Sequence, residues 1–200
     1  MKIGIGRGAV LATAASVLLA GCGDSGGGEK KPEMTGQKVE TQSSAPAQAG
    51  ASATGCIGGG VGAENAQPLV APINVKLQRF AEGTAEVAVV GLRVKDKFAI
   101  LTMRIKPTLP QGTGEKASPY ELNNSAPLAP ELIDTVNAER YVVVKDSDER
   151  QVQDDDVSIY VGNGQCAAPT YTFAAPPANV RSLDVHYGQW PFFSNVPVQR

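Results

Sequence analysis

The chain contains one histidine and three cysteines, and it carries no excess of positive charge, with 18 Lys+Arg set against 20 Asp+Glu. That balance removes the electrostatic basis for nucleic-acid binding, which rests on a basic patch or stripe. A zinc site is equally poorly served, because two of the cysteines stand alone in the sequence with no imidazole near them. Long hydrophobic runs are also missing. The main apolar stretch, Ala9 to Ala20, is about 12 residues, against the ~20 that a membrane-spanning helix requires. No motif in the chain specifies a reaction, so no cofactor and no enzymatic activity are expected.

What is present begins at the amino end. Lys2 and Arg7 form a basic n-region, Ala9 to Ala20 is apolar apart from Thr13 and Ser16, and small residues precede Cys22. This is the layout of an export signal. The run Leu18-Leu19-Ala20-Gly21-Cys22 resembles the bacterial lipobox, whose members are cleaved before the cysteine and carry a diacylglyceryl thioether on it. The resemblance implies a signal peptide over residues 1–21 and lipid attachment at Cys22. Two acyl chains give stable attachment where one is marginal, so the expected location is the extracytoplasmic face of a cell membrane, anchored without spanning. An ordinary cleaved signal or a transmembrane helix is the alternative. Removing residues 1–21 takes away Lys2 and Arg7 and no acid, leaving a net charge of −4 from 16 basic and 20 acidic residues.

Residues 22–66 are dominated by Gly, Ser, Ala, Gln, Thr and Pro. Such a composition cannot bury enough surface to offset ordering entropy, and it predicts a lipidated, disordered tether. The roughly 33 residues between Cys22 and Cys56, treated as a Gly/Ser-like coil, would hold the domain ~30 Å from the bilayer. Gly58-Gly59-Gly60-Val61-Gly62 lacks the Lys-Ser/Thr and the helix of a phosphate-binding loop. With Cys22 acylated, Cys56 and Cys166 are the remaining thiols, and an oxidising compartment predicts that they pair. Two free thiols or an intermolecular bridge are the alternatives.

Residues 67–200 alternate apolar and polar side chains between Gly, Pro, Asp and Asn punctuation, the pattern of half-buried strands. Strands are expected at 73–78, 84–94, 98–105 (ended by Pro107), 141–145, 157–162, 169–173 and 180–187. Pro130 followed by Leu132, Ile133 and Val136 would suit a helix start, but the β-branched residues around Asn137-Ala138 favour a hairpin. The expected fold is all-β, an immunoglobulin-like antiparallel sandwich of about seven strands. Immunoglobulin domains order their markers Cys, Trp, Cys, whereas this chain runs Cys56, Cys166, Trp190, so the kinship is architectural. Leu132-Ile133-Asp134, Arg140-Tyr141, Lys145 to Asp148, Phe173 to Pro177, and Phe192 with Asn195 to Val198 resemble the immunoglobulin-like module of actinobacterial surface lipoproteins. The resemblance spans Val70 to Arg200. Some of those proteins carry a peptidoglycan-binding domain after the module; none is expected here, and the module implies no activity.

Four constellations are candidate sites. Ser182, Asp184 and His186 share a strand face, but residues two apart stand ~7 Å from one another, unlike the convergent groups of a catalytic triad. Asp146, Asp148, Glu149 and Asp154 to Asp156 could suit calcium, a hard cation that prefers oxygen ligands, although no EF-hand loop is present. Tyr187, Trp190, Phe192 and Phe193 either form a stacking platform or close the core. The loop from Pro107 to Pro130 is long enough to be functional. The expected role is a binding or interaction module of the cell envelope, with the membrane as one partner and an envelope protein or glycan as another. An envelope enzyme with a carboxylate site and a structural accessory subunit are the alternatives.

Overall fold

The computed structural model describes residues 55–110 and 116–200. The expected signal peptide (1–21), Cys22 and residues 23–54 of the expected tether lie outside the described residues. Within them the chain forms ten strands and one short helix: β1 (Cys56–Ile57), β2 (Ile73–Lys76), β3 (Thr84–Lys95), β4 (Phe98–Thr108), α1 (Pro119–Leu122), β5 (Glu131–Asp134), β6 (Glu139–Val142), β7 (Cys166–Ala167), β8 (Thr170–Ala174), β9 (Ser182–His186) and β10 (Phe193–Pro197). They make an all-β sandwich of the immunoglobulin-like kind. Its six-stranded sheet runs β1-β7-β4-β3-β2, with β8 also paired to β4, and its four-stranded sheet runs β10-β9-β5-β6.

Alternation puts the core where the sequence pattern places it. Ala99, Leu101, Met103 and Ile105 of β4 are fully buried, as are Val185 and Tyr187 near β9, with Leu183 almost so. Each large aliphatic side chain removed from water contributes roughly 1.5–3 kcal/mol. Between the sheets the hydroxyls of Tyr171 and Tyr187 lie 2.8 Å apart, with the rings edge to face at 5.7 Å. Burial pushes both phenols well above their ordinary range, so each stays a neutral hydrogen-bonding group.

The hairpin at Leu132 to Tyr141 forms as β5 and β6, and no helix starts at Pro130. Asp134 builds its turn: Oδ1 accepts from the backbone N–H of Val136 and Asn137, both at 3.0 Å, and Oδ2 accepts from Asn137 Nδ2 at 2.7 Å. β6 then leaves its sheet. Val143 bridges Phe173 of β8 and Lys145 bridges Gln151, so residues 143–153 extend the larger sheet beyond β8.

Several expectations need correction. β4 continues through Pro107 to Thr108, because Pro107 lies beyond Ile105, the β4 residue paired with β7, at a sheet margin where a missing N–H is tolerated. Residues 157–162 do not form a strand. Asp155 Oδ1 accepts from Val157 N–H and Oδ2 from the Ser158 hydroxyl, and this local side-chain turn displaces the extended ladder. β1, β7 and β10 were not foreseen.

Residues 55–66 of the expected tether (22–66) belong to the fold instead. From Cys56 a strap packs on the outer face of the larger sheet: β1 pairs in parallel with β7, Gly60 N–H donates to Ala168 O at 3.0 Å and Leu69 N–H to Val89 O at 2.8 Å. The strap covers a small second core of Ala63, Ala88, Val90 and Ala168. Glycine is needed where it crosses the sheet. A Cβ on Gly60 would lie 2.7 Å from Thr102 Cγ2, and one on Gly58, at φ +126°, would lie 2.6 Å from Ala168 O.

Candidate interaction surface

The strap leaves part of the outer face bare. In β4 the residues between the buried ones are Phe98, Ile100 and Thr102; β4 pairs Phe98 with Ala174 and Ile100 with Thr172 on β8, while on β3 Lys95 stands opposite Phe98. Beyond β8, Val144 N–H donates to Thr172 O at 2.8 Å and Thr172 N–H to Val152 O at 3.0 Å. Phe98, Ile100, Thr172, Val144 and Val152 thus line an open groove of about 510 Å³, with Lys95 and Asp96 along one side and Lys145 and Asp146 along the other. Phe98 is 37 % exposed and Val152 40 %.

The groove's charges are held in place locally. Lys95 and Asp96 sit at the β3–β4 hairpin turn, where Asp96 adopts φ +54°. Lys97 Nζ lies over the Phe98 ring, 5.5 Å from its centroid, within cation–π range. Opposite, Lys145 Nζ pairs with Glu149 Oε2 at 3.0 Å. Asp146 Oδ1 accepts from the backbone N–H of Asp148 and Arg150 at 2.9 and 3.0 Å, which fixes the turn that carries both charges. Chemically the groove offers apolar contact area between two mixed-charge margins and is open to solvent.

The structure separates the other candidate residues. Ser182, Asp184 and His186 lie along β9 on the outer face of the smaller sheet. His186 stacks on Phe192 at 4.7 Å, its Nδ1 is 3.8 Å from Glu131 Oε2, and Asp184 Oδ1 accepts from Asn195 N–H at 2.7 Å. These three residues form no triad.

The acidic residues likewise diverge. Asp154 Oδ2 accepts three hydrogen bonds, from Gly59 N–H at 2.9 Å, Thr170 N–H at 2.8 Å and the Thr170 hydroxyl at 3.0 Å; it clasps the strap to β8. Its bonds to the Ser158 hydroxyl and then to Val157 N–H hold the Asp155 carboxyl below the usual carboxylate range, while burial, followed by the charge of Asp155, pushes Asp156 upward. Among the described residues no three His, Cys, Asp or Glu side chains gather to hold a metal ion.

Of the C-terminal aromatics, Trp190 packs on Tyr187 at 5.4 Å and is buried with Phe193, whereas Phe192 is 52 % exposed. Tyr187, Trp190 and Phe193 close the core, and Phe192 stands apart from them on the outer face, against His186. The 116–130 segment is packed as well. Ser118 caps α1 in a reciprocal box with Glu121, and Asn123 joins Ala126 O, Pro127 O and Gln189 N–H. Cys56 and Cys166 are joined in a disulfide, at the point where the strap meets β7.

Sequence reasoning missed the groove and the Asp154 clasp. The groove left a signal: Phe98 and Ile100 are apolar at positions where alternation calls for polar residues. The clasp left none, because Asp154 and Gly59 are 95 residues apart. No protein family, curated protein or solved structure matches this chain in comparison.

Proposed function

We propose that this chain is a lipid-anchored, extracytoplasmic protein of the bacterial cell envelope, a non-enzymatic module that binds another protein through the groove on its larger sheet. The observation that carries the reading is the groove, where Phe98, Ile100, Val144 and Val152 stay partly open between charged margins while the neighbouring outer face is sealed by the strap. Apolar surface left uncovered and rimmed by polar groups is the mark of an interaction site. Export is supported by the Cys56–Cys166 disulfide, since such bonds persist in oxidising compartments. The anchor is supported by the lipobox-like run ending at Cys22, and the tether gives the sandwich reach from the membrane. Two experiments test the two halves. Cys22→Ser is expected to accumulate as an unprocessed, lipid-free precursor; normal maturation with membrane retention would refute the anchor. Phe98→Asp is expected to lose the protein companion recovered by cross-linking in native membranes while keeping the parent's melting temperature; unchanged recovery would refute the groove as the contact.

A further inference from the structure

We infer that the open edge of β2 is a second binding site, where an extended peptide segment of a partner protein adds as a further strand with an acidic side chain opposite Lys76. The site lies apart from the groove and does not depend on it. It follows from the register of the larger sheet. Leu77 N–H donates to Gly83 O at 2.9 Å, and β2 pairs Lys76 with Thr84, Val75 with Ala85 and Asn74 with Glu86. Hydrogen-bonded and non-bonded pairs alternate along an antiparallel ladder. Ile73, Val75 and Leu77 therefore turn their backbone groups toward β3, while Asn74 and Lys76 turn theirs away from it. Those two N–H and two C=O groups meet no protein partner among the described residues.

β2 ends the larger sheet, and its open edge lines a cleft of about 290 Å³ together with Leu122, Asn124, Gln189 and Trp190. The two outward positions are two residues apart, roughly 7 Å along the strand, which is the repeat of an extended main chain. A peptide laid there exchanges hydrogen bonds with Asn74 and Lys76 along one of its edges. Its other edge faces the side-chain amides of Asn124 and Gln189, each a donor and an acceptor like the peptide group itself and each without a partner among the described residues. The pleat then sets the pattern of the peptide. Its residue opposite Val75, whose side chain packs on the main core, shares that inner face with Leu122 and Trp190 and is apolar; the residues opposite Asn74 and Lys76 share the outer face. Lys76 is exposed and makes no ion pair among the described residues, and Glu86, one pair along on β3, is held by Arg104 at 3.2 Å. A lysine on an open edge discourages unselected strands and admits one that brings the opposite charge. In strand additions of this kind the main-chain bonds give affinity and the alternate side chains give specificity.

The test uses the full chain and the end-blocked pentapeptide Thr-Val-Asp-Val-Thr, followed by the fluorescence of Trp190, the one tryptophan of the chain, and by residue-resolved amide exchange. Saturable binding with a Kd of about 1 mM or tighter is expected. At saturation the Asn74 and Lys76 amides should exchange more slowly by about fivefold or more, with Val75, already bonded to β3, unchanged. Methylating the peptide nitrogen of Asp removes a main-chain donor and alters no side chain, and it is expected to weaken binding by about tenfold or more. Exchanging the peptide's Asp for Lys should also weaken binding, and Lys76→Glu should reverse that preference. Asn74→Pro takes away an outward N–H and no bond to β3, as an edge strand tolerates, and is expected to lose peptide binding at an unchanged melting temperature. No saturable signal at millimolar peptide, equal binding of the methylated peptide, or protection at Val75 equal to that at Lys76 overturns the proposal. Binding of a hexamer of N-acetylglucosamine with none of the peptide would make the cleft a glycan site and the strand addition wrong.

Discussion

Asp154 holds Gly59 across 95 residues of sequence: its carboxylate takes the Gly59 N–H at 2.9 Å while also bonding Thr170 through N–H and hydroxyl. The strap that starts at Cys56 is therefore part of the folded domain. Its other fastenings are Arg104, whose Nη1 donates to Ala63 O at 3.2 Å and Ala66 O at 2.7 Å and whose Nη2 pairs with Glu86 at 3.2 Å, and the disulfide at Cys56.

Removing the clasp leaves two backbone donors short of a partner. Asp154→Ala is expected to destabilise the domain by about 2–3 kcal/mol and to raise amide exchange in residues 57–63 more than in β4. Urea unfolding with hydrogen exchange measures both, and equal exchange changes across the sandwich would contradict the assignment.

The disulfide closes a loop of 110 residues, which on chain-entropy grounds is worth about 4–5 kcal/mol. Replacing Cys56 and Cys166 together with Ala is expected to lower the urea midpoint substantially without changing the far-ultraviolet spectrum of the remaining folded protein. A loss below about 1 kcal/mol would show that the strap is secured by its hydrogen bonds alone.

The Tyr171 and Tyr187 hydroxyls satisfy one another. Either Tyr→Phe change strands a buried hydroxyl at a cost of about 1–3 kcal/mol, whereas changing both removes the pair and should cost less than the two single losses combined. A double-mutant cycle on unfolding free energies decides it; strict additivity would mean that the hydroxyls do not depend on one another.

Alkaline pH adds a separate test. Tyr141 is pushed up to about 12, first by burial and then by its hydrogen bond to Glu139, and Tyr171 and Tyr187 are raised as well. Because the folded form holds these protons more tightly than the unfolded chain, the associated stability is intact below about pH 10, the ordinary tyrosine value, and declines as pH rises toward 12 and beyond. Asp134 works at the other end. Its hydrogen bonds to Asn137 lower its pKa, so its contribution is present above the ordinary carboxylate value and lost on acidification. Thermal melts across pH should show a plateau through neutrality and a fall above about pH 10; constant stability from pH 9 to 12 would contradict the burial of these phenols.

Much of the fold was legible because burial in a sandwich repeats every second residue. Ala99, Leu101, Met103 and Ile105 announce β4, and Asn137-Ala138 between β-branched residues announces the hairpin turn, although the part Asp134 plays in it does not show. The two-residue strands β1 and β7 are too short to show a period, and they exist because a distant disulfide and backbone pairing hold them. Residues 57–66 hold few large apolar side chains, so much of their order comes from Asp154 and Arg104, partners that composition does not reveal. At 157–162 a strand-like pattern lost to an Asx turn at Asp155. The groove required knowing that β8 and residues 143–153 lie beside Phe98 and Ile100, a fact of topology.

The most direct test of the central claim is the intact mass and fractionation of the protein from its native membranes. The expected result is a chain that begins at Cys22, carries diacylglycerol on the thiol and leaves the membrane only with detergent. A chain that begins at Met1, or one recovered in the cytosolic fraction, would contradict the account.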